Sequence, residues 1–83
     1  MQISVYTTRA CVQCESTKRL LTKLGIRFDE MALEQHPEQL EAFKQAGHLQ
    51  APIVIADGQV WSGFRYDKIQ ALSHRLFGEN RDS

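Results

Sequence analysis

The sequence predicts an α/β domain, a four-stranded mixed sheet flanked by three helices, in the chain order βαβαββα. Three observations carry that reading. A short apolar strand pattern near the start is followed at once by an amphipathic helical pattern, as a strand–helix–strand unit requires. The β-branched run Ile53-Val54-Ile55 leads into Asp57-Gly58, a strong hairpin-turn signal. Ile69, Leu72 and Leu76 then recur at three- and four-residue spacing, the mark of one apolar helical face.

Taken in order, residues 2–6 read as a short buried strand, with Ile3 and Val5 on one face and Tyr6 beside them. Residues 7–10 form a polar loop. Cys11 opens a helical pattern that runs to about Leu24, with Thr17, Leu20, Leu21 and Leu24 on one face and Lys18, Arg19 and Lys23 largely elsewhere. Gly25 marks the stop. Residues 27–33 carry Phe28, Met31 and Leu33 and suit a second strand. Pro37 occupies the first position of the next helix, where its missing N–H costs nothing, and Leu40 and Phe43 supply its apolar face up to Gly47. Pro52 precedes the third strand, and residues 59–62 return as the fourth. The last helix starts near Tyr66 and ends by Gly78. The first two strands should be parallel, joined by a right-handed crossover; the hairpin should add antiparallel strands.

The chain has 83 residues, one domain over 1–78 with a short polar tail at 79–83 that should fray. A domain this small buries only roughly 60–65% of its unfolded surface and leaves little room for a deep pocket. Its chemistry is therefore expected from an exposed group on a rigid edge. Ten basic and ten acidic residues give zero formal charge, against the basic excess of a nucleic-acid binder. No apolar run approaches the roughly 18 residues of a membrane span, and the opening Met1-Gln2-Ile3-Ser4-Val5-Tyr6 lacks the pattern of a secretory signal. A soluble, cytoplasmic monomer is the expectation.

Both cysteines lie in Cys11-Val12-Gln13-Cys14. A disulfide-stapled domain spreads its cysteines to close long loops, whereas a bridge across two residues constrains the unfolded chain little. A reversible switch explains the pair better. Residues three apart on a helix are about 5–6 Å apart at Cβ, a reach that disulfide geometry can use. After a strand and opening a helix, this is the thioredoxin-type redox arrangement. The helix N-terminus favours a Cys11 thiolate, the nucleophilic form. Cys14, one turn in, should be more buried. Cys11 then attacks a partner disulfide, and Cys14 attacks Cys11 to release the reduced partner. A zinc site would need about four ligands, and His36, His48 and His74 lack the short spacing such a site uses.

Two further features stand out. Ala51-Pro52 directly precedes a strand, where trans is the ordinary reading for an X-Pro bond. Trp61-Ser62-Gly63-Phe64-Arg65-Tyr66-Asp67 sets aromatics around a glycine suited to positive φ or close approach, and Asp67 falls in the first turn of the last helix. Lys18, Arg19, Lys23 and Arg27 read as a solvated face that can steer a partner.

Together, Cys11-Val12-Gln13-Cys14, Thr17-Lys18-Arg19, Gln50-Ala51-Pro52 and Trp61-Ser62-Gly63-Phe64-Arg65 resemble the glutaredoxin-like NrdH-redoxin family, from Ile3 to about Leu76. The resemblance implies a thioredoxin/glutaredoxin-like fold and dithiol reductase activity with no bound cofactor. It implies electrons drawn from NADPH through thioredoxin reductase and delivered to class Ib ribonucleotide reductase. It makes Cys11 the attacking and Cys14 the resolving thiol, and Pro52 a cis-proline facing them. Val12, Gln13, Ala51, Pro52, Trp61, Ser62, Gly63, Phe64 and Arg65 become partner-binding residues, with the Ala51 backbone pairing an extended substrate segment. Two positions depart from the family pattern. Tyr66 replaces the usual Pro, and Glu15 follows Cys14, where a carboxylate would oppose a nearby thiolate or relay a proton. A glutathione-dependent glutaredoxin is the alternative; its usual Cys-Pro-Tyr-Cys and Gly-Gly-x-Asp-Asp-like loop are replaced here, although Asp67 stands near the right place. A non-catalytic metal or iron–sulfur module, held between two chains through Cys11, is the second alternative.

Overall fold

The computed structural model describes residues 2–78; the predicted tail at 79–83 lies outside them. The elements are β1 (Ile3–Thr7), α1 (Val12–Lys23), β2 (Asp29–Ala32), a 3₁₀ turn (Leu33–Gln35), α2 (Pro37–Gln45), β3 (Ile53–Ala56), β4 (Gln59–Ser62) and α3 (Tyr66–Phe77). The sheet order is β2-β1-β3-β4. β1 pairs parallel with β2 and antiparallel with β3, which pairs antiparallel with β4. This is the mixed four-stranded sheet with three helices that the sequence predicts.

Two strands differ in extent from the sequence reading. β1 runs to Thr7 because Thr7 still pairs with Ala32. β2 is shorter than 27–33 because β1 offers it partners only from Ser4 to Thr7. Phe28 packs on the core from just before the strand, and Leu33, 3% exposed, turns inward to open the 3₁₀ turn.

Alternation along β1 divides the core. Ile3 and Val5 point to a cluster with Leu21 and Ile26 from the α1 side, Ile69 and Leu72 of α3, and Val54, Ala56 and Trp61 of the hairpin. Tyr6 points the other way, toward Leu33, Phe43 and Ile53. Helices α1 and α3 therefore cover one face and α2 the other, so β1 is buried on both sides. Each fully buried Leu or Ile contributes about 1.5–3 kcal/mol.

The helix ends aim the chain. After α2, Gly47 takes φ +92°, a region an L side chain enters at a cost of about 1–2 kcal/mol. The His48 N–H donates to the Phe43 carbonyl at 2.8 Å and the Gly47 N–H to that of Lys44 at 3.0 Å, the paired bonds of a Schellman stop. The same step sets His48 against Phe43, ring centroids 6.5 Å apart, and sends residues 49–52 toward the start of α1. At the other end of the β3–β4 ladder, Asp57 and Gly58 adopt φ +54° and +75°, a turn whose hand matches strand twist.

Candidate active site

The strand pairing gathers three segments at one end of the sheet. β1 runs into the loop that opens α1, and Tyr6 pairs with Ile53, which pairs with Ser62. Residues 8–14, Pro52 and residues 63–65 therefore meet, although Gln13 and Phe64 are 51 positions apart.

Cys11 is the N-cap of α1 rather than its first residue, in extended conformation at φ −112°, ψ +105°. Its Sγ accepts a hydrogen bond from the Cys14 N–H at 3.0 Å. An amide donor and the positive end of the helix both favour negative charge on that sulfur. Ala10, just before it, sits at φ +51° without being glycine, a backbone strain of order 1–3 kcal/mol placed next to the reactive residue. Cys11 and Cys14 form a disulfide across a Cα–Cα distance of 5.2 Å, within the ordinary range for such bridges. Cys14 is 1% exposed and Cys11 partly exposed, so only one sulfur of the pair faces outside chemistry.

Opposite the pair, the Ala51–Pro52 peptide bond is cis. The Ala51 carbonyl oxygen lies 3.7 Å from Cys11 Sγ, where it can accept from the thiol of the reduced form. The Gly63 N–H donates to the Pro52 carbonyl at 2.8 Å. Gly63 is buried at φ +82°, and a Cβ there would stand 3.3 Å from Gln13 Oε1. That oxygen accepts from the Phe64 N–H at 3.2 Å. Gln13 thus joins the residues between the cysteines to the loop after β4, and the glycine makes room for it.

The sequence-predicted residues separate by what they expose. Val12, at 80% exposed, and Phe64, at 38%, offer apolar surface beside the cysteines. Tyr66 is also exposed, its hydroxyl accepting from Gln70 Nε2 at 2.9 Å. Ser62 Oγ lies within hydrogen-bond distance, 3.4 Å, of His48 Nδ1. Trp61 does not join this surface: it is 4% exposed and packs in the core, with Lys68 Nζ 5.9 Å from its ring centroid. Arg65 holds Asp67 by two hydrogen bonds at 3.2 and 3.0 Å. That contact holds the Asp67 carboxyl below its ordinary value and the guanidinium above its own.

One network was not legible in the sequence. Glu30 Oε2 accepts from Lys18 Nζ and from Thr7 Oγ1, each at 3.0 Å, and Lys18 also pairs with Glu15 at 3.2 Å. The Lys18 hydrogen bond, supported by Thr7 and opposed by burial, lowers the Glu30 carboxyl below its usual 4.5. Glu30 first, then Glu15, raise Lys18 above 10.5. Lys18 is therefore a strut between α1 and β2 rather than part of a free basic face. The i,i+3 spacing of Glu15 and Lys18 is the one sequence signal for this network; Glu30 joins it only through the β1–β2 register.

A CxxC disulfide that caps a helix beside a cis-proline, on this fold, defines a thiol–disulfide oxidoreductase. The glutaredoxin family model matches residues 3–61. The glutaredoxin-like protein NrdH of Escherichia coli is 43% identical over 72 residues, covering 87% of this chain and 89% of that protein. The NrdH of Lactococcus lactis is 32% identical over 71 residues, covering 86% and 99%. The structure of NrdH-redoxin from Escherichia coli, a glutaredoxin-like protein with a thioredoxin-like activity profile, superposes with a TM-score of 0.83, covering 87% and 95%. The chain belongs to the glutaredoxin-like NrdH family. No helix among the described residues is long and apolar enough to cross a membrane. No three His, Cys, Asp or Glu side chains among them gather to hold a metal ion.

Proposed function

We propose that this protein is a dithiol redoxin that takes electrons from NADPH through thioredoxin reductase and delivers them to class Ib ribonucleotide reductase in the cytoplasm. The observation that carries the reading is the joined site: Cys11 Sγ at the Ala51 carbonyl, and Gln13 bonded to the loop at Phe64. The likeness to a redoxin with thioredoxin-like activity supports the choice of electron source.

In this mechanism the Cys11 thiolate attacks the partner disulfide and forms a mixed disulfide, and one partner sulfur leaves as thiolate. Cys14 attacks Cys11 Sγ, closes the intramolecular bridge and releases the second partner thiolate. The backbone of Ala51, next to Pro52, pairs with an extended partner segment. Val12, Gln13, Gly63 and Phe64 make the surface beside it, Ser62 and Arg65 flank that surface, and Trp61 supports it from the core.

NADPH oxidation coupled to disulfide reduction tests the proposal, with thioredoxin reductase as one electron source and glutathione with glutathione reductase as the other. Turnover with thioredoxin reductase, followed by support of ribonucleotide reduction, is the expected result. Turnover with glutathione alone would move the protein to the glutathione-dependent glutaredoxins.

A further inference from the structure

Thr17 is fully buried, 0% exposed, and its Oγ1 is buried without a hydrogen-bond partner. Orphaned buried hydroxyls are uncommon, because losing water without a partner costs free energy. A helical threonine commonly bonds the carbonyl one turn back, and this one does not. Helical side chains lean toward the N-terminal turn, so residue i+3 lies over residue i. The side chain one turn back on this face is Cys14, itself 1% exposed and committed to the disulfide with Cys11.

We propose that Thr17 is a positioning residue for the resolving thiol: its hydroxyl pairs with Cys14 Sγ once the disulfide opens, and is left orphaned when it closes. The inference rests on the roles given above to Cys11 and Cys14. A free thiol is a weak donor and acceptor, and a hydroxyl can meet it in either sense. In the reduced state the contact satisfies two buried groups and orients Cys14. In the resolving step the Cys14 thiol gives up its proton and its sulfur attacks Cys11 Sγ. The Cys11–Cys14 bond forms, the bond from Cys11 to the partner breaks, and the partner sulfur leaves with the electron pair and takes up a proton. The cysteine pair is oxidised by two electrons and the partner reduced by two. Closing the bridge draws Cys14 Sγ toward Cys11, and Thr17 Oγ1 is left without a partner, as it is in the disulfide form.

The sign follows. A contact present only in the reduced form favours the dithiol, and an orphan present only in the oxidised form disfavours the disulfide. Thr17 therefore raises the reduction potential. Thr17→Val keeps the volume and removes the hydroxyl; Thr17→Ser keeps the hydroxyl and removes the methyl. The test equilibrates wild type and both variants at pH 7 against graded ratios of reduced and oxidised dithiothreitol, reading the disulfide fraction by thiol alkylation and mass. The expected result is a potential for Thr17→Val more negative by about tenfold in the equilibrium constant, about 30 mV for two electrons, with Thr17→Ser near wild type. Thr17→Val equal to wild type would overturn the proposal. So would Thr17→Ser shifting as far as Thr17→Val, since packing would then be the cause. Wild type that forms no reversible couple would overturn the redox roles themselves, a different outcome from a reversible couple insensitive to Thr17.

Discussion

The two ends of the β3–β4 ladder hold the same pair of strands by different means. At the hairpin end, Asp57-Gly58 turns the chain within two residues, and Arg75 Nε reaches Asp57 Oδ2 at 2.7 Å across the surface. At the cysteine end, Gly63 ties the end of β4 to Pro52 and Phe64 ties it to Gln13 of α1, across 11 and 51 residues. The hairpin is coded locally and tolerates change at its rim. The site is coded by tertiary approach, so a small change in one segment displaces another. The contrast teaches where this small domain carries its constraint: not in a deep pocket, but in close backbone approach around one sulfur.

The largest effect should come from the sulfur itself. Cys11→Ser should abolish disulfide reduction in the NADPH-coupled assay while the fold persists by circular dichroism, because the bridge closes too short a loop to matter much for folding. The next tests the glycine cradle. Gly63→Ala combines a left-handed backbone with a Cβ 3.3 Å from Gln13 Oε1, and should cost about 1–3 kcal/mol in urea unfolding as well as slowing turnover. Unchanged stability would mean that the loop does not hold Gln13 as described. Gln13→Ala should cost about 1 kcal/mol through the lost bond to Phe64, and lower partner affinity more than stability. The smallest effect lies at the far end: Arg75→Ala removes a half-exposed ion pair and should change stability by less than about 1 kcal/mol, with turnover unaltered. A large loss of turnover there would break the contrast.

The network across α1 and β2 adds a pH dependence. Glu30 is lowered by Lys18, so its contribution is complete above the ordinary glutamate value and is lost as pH falls through the lower folded-state value. Lys18 is raised by Glu30, so its contribution persists to alkaline pH and fades as pH climbs past 10.5 through the higher folded-state value. In Thr7→Val the acid branch of the unfolding profile should move to higher pH, because Glu30 loses one of its two donors. An acid branch identical to wild type would remove Thr7 from the network.

What the sequence made legible follows the same division. Element order, the Asp57-Gly58 hairpin, the stop at Gly47 and the opposed exposure of Cys11 and Cys14 depend on neighbours a few residues apart, and periodicity and turn chemistry reach that far. Trp61 was expected on the partner-binding surface and is in the core, because an aromatic near a loop does not reveal which face of β4 it takes until the register is known. Lys18 looked like solvated helix surface because Glu30, its main partner, comes from the next strand. Thr17 looked like an ordinary core threonine; only its unpartnered hydroxyl sets it apart.

The most direct test of the central claim is a trapping measurement. Cys14→Ser and Cys11→Ser proteins are each incubated with an oxidised disulfide partner, and the adducts are resolved by mass and peptide mapping. The account predicts a stable mixed disulfide through Cys11 in Cys14→Ser and no adduct in Cys11→Ser. An adduct through Cys14 in Cys11→Ser, formed as fast as the other, would contradict it, because the buried sulfur would then be the attacking one.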